Sequence, residues 1–391
     1  MQDRPPPGRL PRGPIVVRCV ERLDALAPHR EAWDELALAA PQGLPMLSHA
    51  WVSAFLLHRV AAPATWRVLL AFRGDELVGV LPLVRTPHEQ LGGNRPRLRL
   101  PRDLHTRSGD AVLAAGVEHE ALSAMIAEAR RLEPRLFSID FSGVREGSPT
   151  IAALAAGTAK VTALDAPDER GSYVAVAGTM DEFRATLGDN FRRNLKKAGN
   201  RFEREPGAGV RLLSGPSAHP ALLDDFLALE AAGWKGAEGT AIAADPSLVA
   251  FYRTLVSNLA AKGWLEWHFL DIGGKPAAAH LAVRFGRALV LLKIAYDESH
   301  SRLGPGNLLF ERVLLHAFEG KEVDEVNCTT DMPWHRNWEM PQSAYHDLSV
   351  FPRSPLSILM GVVHARLKAA AKKIPGLVPL VRATRKRKES P

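Results

Sequence analysis

Between Leu265 and Thr330 the chain reads as three strands, a glycine-rich turn, a helix and a further strand, a succession that few folds accommodate. The runs LEWHFLDI, PAAAHLAVRFG and ALVLLKIAYD are separated only by GGK at 273 to 275 and GR at 286 to 287, which predicts an antiparallel meander. SRLGPGN follows at 301 to 307, and Leu308, Leu309, Val313, Leu314 and Phe318 then recur at helical spacing. Gly304 and Gly306 let a ligand approach the backbone, Pro305 stiffens the turn, and Asn307 is the expected N-cap. Backbone N–H groups at such a turn have no partner inside the helix, so they can bind the oxygens of a pyrophosphate. No Lys-Ser or Lys-Thr follows the glycines, which disfavours an ATP-binding P-loop.

The rest of the chain divides around this segment. At 391 residues it exceeds what one hydrophobic core usually supports, so two domains plus tails are expected. Residues 1 to 13 read as a disordered leader, with proline where a secretory signal would be continuously apolar. An N-terminal domain is expected over 14 to 170. Its predicted elements are a strand at 15 to 20, helices over 23 to 39 and 50 to 60, a hairpin turning at Gly74 and Asp75, a helix over 118 to 131 and a strand over 136 to 143. Residues 88 to 108, rich in Gly, Pro and Arg, read as an irregular connection, and 161 to 176 as a link into the second domain. That domain, 171 to 352, opens with a strand, a short helix and a basic helix from Asn190 to about Arg204. Both halves run helices, hairpin, helix, strand, which suggests a structural duplication.

Charge and cysteine content bound the partners. Residues 353 to 391 carry ten Lys or Arg and one acid, and subtracting those nine charges from the net +7 leaves −2 for residues 1 to 352. The body is therefore not a general polyanion binder, and nucleic acid is not an expected partner. The tail is basic and amphipathic, and either peripheral contact with an anionic membrane or solvation would suit it. Cys19 and Cys328 show no paired spacing for a metal or a disulfide framework, and no run is long and apolar enough to span a membrane. No metal is expected, and a cytoplasmic location is, with membrane association through the tail as an open alternative.

Four segments resemble the GNAT-like acyltransferases of the CelD-like type, related to the Fem peptidyltransferases. They are residues 172 to 203, the helix ending in Glu230 and Trp234, residues 273 to 310, and VDEVNCTTDMPWHRNWE at 323 to 339. The resemblance spans most of residues 40 to 340. It implies an α/β (α+β) fold of tandem GNAT-like domains, with a mixed, mostly antiparallel central sheet flanked by helices. It also implies acyl-CoA or acetyl-CoA as co-substrate, held by Ser301, Arg302, Leu303, Gly304, Gly306 and Asn307. Two departures stand out. Ser301 occupies the position where the family commonly has Arg or Gln, and His335 stands where lysine is usual.

Acyl transfer to an amine needs a base, donors for the tetrahedral oxyanion and an acid for the departing thiolate. Asp331, His335, His280 and Glu230 are the candidate bases. Asp331 and His335 follow a strand whose C-terminal end should open near the thioester, and His335 is either a proton-transfer group or a replacement in a solvated loop. His280 shares a strand face with Ala278, Ala282 and Arg284, a face that lines the cleft or is simply half exposed. Glu230 is a base or a surface charge. Tyr296 either donates to the leaving sulfur or packs in the core. Cys328 reads as a buried strand cysteine rather than a nucleophile. In the basic helix, Phe191, Leu195, Ala198 and Phe202 form one face and six cations the other, a side that is solvated or attracts phosphates. The leading reading is an N-acyltransferase acting on a small-molecule amine, such as a cell-envelope or polysaccharide precursor. The alternatives are an aminoacyl-tRNA-dependent Fem-like peptidyltransferase and a non-catalytic binder of the same fold.

Overall fold

The computed structural model describes residues 13–88, 95–157, 161–233, 236 and 238–352. The predicted basic tail, most of the leader and Trp234 lie outside the described residues. The first half contains β1 (Ile15–Val20), α1 (Leu23–Leu26), α2 (Arg30–Ala39), α3 (His49–His58), β2 (Thr65–Arg73), β3 (Glu76–His88), β4 (Arg95–Arg99), β5 (Val112–Leu113), α4 (Glu118–Leu132), β6 (Ser138–Arg145) and α5 (Pro149–Ala155). β7 (Val161–Ala175) leads into α6 (Met180–Thr186), α7 (Asp189–Phe202), β8 (Gly209–Ser214), α8 (Leu222–Ala232) and α9 (Pro246–Ala261). The meander β9 (Leu265–Ile272), β10 (Lys275–Phe285) and β11 (Ala288–Tyr296) follows, then α10 (Pro305–Gly320), β12 (Glu325–Asn327) and β13 (Gln342–Pro352). Local signals fix several starts. Ser148 and Asp245 cap α5 and α9 immediately before a proline, and Thr179 with Glu182 forms a capping box on α6.

The strands join in one sheet, ordered β1-β2-β3-β4-β6-β13-β7-β12-β11-β10-β9-β8, with β5 on β3. Each half repeats one topology. In the first, β2-β3-β4 is an antiparallel meander, α4 follows, and β6 returns parallel to β4. In the second, β9-β10-β11 is the meander, α10 follows, and β12 returns parallel to β11. The expected tandem, mostly antiparallel architecture is present.

Three segments differ from the sequence reading. Residues 95–99 are not an irregular connection but β4, with Leu98 and Leu100 buried at alternate positions. Residues 161–175 are one long strand rather than a link, so the expected boundary at 170/171 falls inside β7. β13, to which no element was assigned, lies between β6 and β7 and pairs with both. The halves thereby exchange strands: β7 completes the second half against β12, and β13 completes the first against β6.

Burial follows the sheet. One cluster around Leu81, Met125 and Phe141 lies in the first half, and another around Leu309, Phe310 and Trp338 lies between α10 and the second half's sheet. The largest joins the halves. In it Trp33, Trp51 and Phe55 meet Phe226, Phe251 and Trp267, and the rings of Trp51 and Phe251 are edge-on at 6.2 Å.

Candidate active site

Parallel β11 and β12 are paired for only three residues. The ladder runs from Ala288↔Glu325 to Val290↔Asn327, yet β11 continues to Tyr296. A bulge at Leu292, set against the Leu281/Ala282 step of β10, bends β11 where β12 departs. Beyond Asn327 the chain turns off at Thr329, a β-branched residue with φ of 54°. The two strands therefore splay, and the glycine-rich turn stands at the end of β11 beside that opening.

The turn itself is a 3-10 segment, Glu298–Leu303, started by Asp297, whose carboxylate accepts the Ser299 N–H at 2.8 Å. Gly304 closes it at φ 59° and is the N-cap of α10, with Pro305 at the first helical position. The expected cap, Asn307, is instead inside the first turn, where its Oδ1 accepts from Trp338 Nε1 at 3.1 Å. The Leu308 N–H is the first to bond back into the helix, on the Gly304 carbonyl at 3.1 Å, which leaves the Gly306 and Asn307 N–H groups at the entrance. A Cβ on Gly304 would meet nothing within 4 Å, so the space above the turn is open. Ser301 and Arg302 are exposed and Leu303 is buried beneath them. α7 packs against this turn, its Gly199 close to Leu308. Leu195 and Phe202 of α7 are buried as expected, while Arg193, Lys196, Lys197 and Arg201 are exposed and make no ion pair among the described residues.

The candidate proton-transfer groups are scattered around the splay. Tyr296 is 38% exposed rather than packed in the core, and a Cβ on Gly306 would be 3.9 Å from its ring. Asp331 is exposed beside the splay, within 3.5 Å of the Ser172 hydroxyl. His335 is not in a solvated loop. It is buried, its Nδ1 accepts the Met332 N–H at 3.1 Å, and burial pushes its pKa down to about 4 against the opposing pull of Asp331 and the Thr330 backbone. It clamps the 3-10 turn Pro333–Trp338 as a neutral imidazole.

His280 does not line a cleft. It is buried on the sheet face covered by α10, paired across strands with His268 at a ring distance of 5.7 Å, and burial holds its pKa well below the usual histidine range. Glu230 is buried as well, not a surface charge, and its carboxylate accepts the Ile242 N–H at 2.9 Å. The Cys328 thiol is buried and its pKa is pushed up to about 12, so it is not a thiolate nucleophile at neutral pH.

The corresponding opening in the first half is filled by its own chain. After β4 the backbone turns back, Gly109 and Ser142 exchange hydrogen bonds at 2.8 and 3.2 Å, and the Trp51 indole donates to Thr106 at 3.0 Å. The Arg107 carbonyl sits so close that a Cβ on Gly143 would lie 2.2 Å from it. Residues 100–110 thus occupy the first half's equivalent of the splay, and among the described residues only the second half presents an open one.

An open splay after a three-strand meander, with a glycine turn and a bare helix N-terminus at its mouth, suits an extended ligand that carries negative charge. Residues 189–335 match the family model described as an acetyltransferase (GNAT) domain. That region is thus similar to GNAT acetyltransferase domains, and the fold of the chain is similar to that of FemX. Among solved structures it is similar to FemX, at 11% identity over 84% of this chain and 98% of that one, with a TM-score of 0.60. It is similar too to the C-terminal domain of a protein from Agrobacterium fabrum assigned as a lysylphosphatidylglycerol synthetase, at 10% identity over 87% and 96% of the chains, TM-score 0.53. A conserved protein of unknown function from Bacteroides thetaiotaomicron matches at 13% identity over 86% and 100%, TM-score 0.51. At these identities the likeness concerns the fold alone. No curated protein sequence is significantly similar to the chain.

Proposed function

We propose that the second half is an acyltransferase that takes its acyl group from acyl-CoA and passes it to an amine. The observation that carries this reading is the Gly304 turn, with open space above it and free N–H groups behind it, at the mouth of the β11–β12 splay. Those N–H groups suit a pyrophosphate, and the neighbouring cations of α7 suit further phosphates. Bound acyl-CoA would supply the activated thioester. Gly306 and Asn307 would hold its phosphates, and the splay would pass its arm through the sheet. The base is best sought at the exposed Asp331, because His335 titrates too low and both His280 and Glu230 are enclosed.

CoA is expected to raise the melting temperature of the protein. Gly304→Asp, which sets a carboxylate where a phosphate would bind, is expected to weaken CoA affinity at least roughly tenfold, about 1.4 kcal/mol. Thiol release from acetyl-CoA over a panel of amines then tests turnover. Stabilisation without release would mark a binder, and the absence of both would remove the CoA reading. The α7 cations beside the turn also suit the aminoacyl-tRNA-dependent reaction that the Fem resemblance implies. In that case tRNA, and not CoA, would stabilise the protein, with a steep dependence on salt.

A further inference from the structure

Two locally unfavourable features lie side by side where β12 leaves the sheet. Thr329 is held in the left-handed region, which a β-branched residue rarely adopts, by its N–H bond to Asn327 Oδ1 at 2.8 Å. On either side of it, the Cys328 N–H bonds to the Ser172 carbonyl and the Ser172 N–H to the Thr330 carbonyl, each at 2.9 Å. The second feature is Tyr345 of β13. Its ring crosses over β7 at Gly171, where a Cβ would lie 2.6 Å from Tyr345 Cε2 and 3.3 Å from the Thr329 carbonyl carbon. Glycine at 171 is what allows the ring to reach from β13 to the end of β12.

The Tyr345 hydroxyl arrives there buried and with no hydrogen-bond partner. Asn327 stands close enough to interact with it, and Arg145 and Glu325 lie nearby, but none of them meets it in hydrogen-bond geometry. Asn327 accepts from the Thr329 N–H and donates to Glu325 at 3.1 Å, and both Glu325 oxygens take the Arg145 guanidinium, at 2.7 and 2.8 Å. A buried hydroxyl without a partner lowers stability, so a sequence that keeps one has a use for it or places a water against it.

We propose that the Tyr345 hydroxyl is the hydrogen-bond donor to the carbonyl oxygen of an acyl group brought into the splay at the end of β12. This assignment rests on the acyl-CoA reading and adds to it a residue that touches the reacting group. Burial raises the phenol's pKa, so it is a protonated donor at neutral pH. The amine lone pair forms the new C–N bond while the carbonyl π pair moves onto the oxygen, where the donor stabilises the growing charge. Collapse restores C=O and breaks C–S, the sulfur leaves with its electron pair, and the ammonium gives its proton to the base, for which Asp331 is the candidate, or to the thiolate. Tyr345 keeps its own proton throughout.

The test compares acetyl-CoA with S-ethyl-CoA, which has nearly the same size but lacks the carbonyl, by calorimetric titration of the full chain. The native protein is expected to prefer acetyl-CoA by roughly 3- to 10-fold, the range of one hydrogen bond. In Tyr345→Phe the preference is expected to vanish, with S-ethyl-CoA affinity unchanged and the melting temperature equal or higher. An undiminished preference in the variant overturns the assignment, as does a lower melting temperature, which would mean the hydroxyl is satisfied within the fold. If neither ligand binds the native protein, the acyl-CoA reading fails and this assignment fails with it. Binding of both with no preference sinks the assignment alone.

Discussion

Residues 14–170 produced alone will give no cooperative thermal transition, although they contain a complete-looking succession of helices and strands. The first half's sheet is finished by β13, whose Leu348 and Val350 are buried in that half's core and whose backbone forms the ladder with β6. Without β13, β6 keeps an open ladder edge over apolar side chains, and the fragment also stops within β7. Truncating one large buried side chain costs about 2–5 kcal/mol. Loss of Leu348, Val350 and Phe351 together therefore rivals the roughly 5–15 kcal/mol by which whole domains are stable. Circular dichroism of the fragment on heating is the direct check, and a sharp transition there would show that the half folds independently. In the full chain, Leu348→Ala is expected to lower stability by about 3 kcal/mol in a single urea transition, because the exchanged strands leave neither half able to unfold alone.

The strand exchange explains what could and could not be read from the sequence. The meander, the glycine turn and α10 were legible because each depends on neighbours a few residues apart: tight turns, two-residue alternation and helical spacing. β13 depends on pairings such as Ser349↔Asp140 and Val350↔Ala163, which no local pattern announces. β4 was hidden by its composition. RPRLR looks like a loop, and it is a strand because Leu98 enters the core while Arg97 pairs with Asp140 of the adjacent β6. In the turn, Pro305 was the better sign of where the helix starts than Asn307, since proline's missing N–H is harmless at the first helical position.

Site residues followed the same division. The anion turn was located from sequence, whereas the burial of His280, Glu230 and His335 came from elements that cover them only in three dimensions. Asn327, Thr329 and Tyr345 carry no sequence signal, because nothing in an alternating strand marks an aromatic whose hydroxyl is buried without hydrogen-bond geometry to a neighbour. Gly171 was read as a boundary. It is the gap through which Tyr345 reaches the end of β12.

Lowering the pH from 7.5 to 5 will destabilise the protein through its buried histidines well before its carboxylates respond. His335 titrates at about 4 in the fold against an ordinary 6.5, so between those values the unfolded chain binds a proton that the folded chain does not. Stability contributed by such a group is complete above about pH 6.5 and is lost as the pH falls towards 4. The full interval corresponds to about 3 kcal/mol, at about 1.4 kcal/mol per pKa unit. His280 acts in the same direction, held low by burial and by His268. Asp110, whose pKa burial raises, opposes them, since its protonation in the fold favours the folded state as the pH falls. Carboxylates held low by partners, such as Glu266 and Asp324, lose their contribution only as the pH drops below their ordinary range near 4. Urea midpoints measured at pH 7.5, 6 and 5 are expected to fall monotonically, and His335→Gln, destabilising in itself, is expected to flatten the decline. A variant with the native slope would assign the loss to other groups. Because His335 clamps the turn that follows Asp331 at the edge of the splay, CoA affinity should decline over the same interval, and by less in the variant.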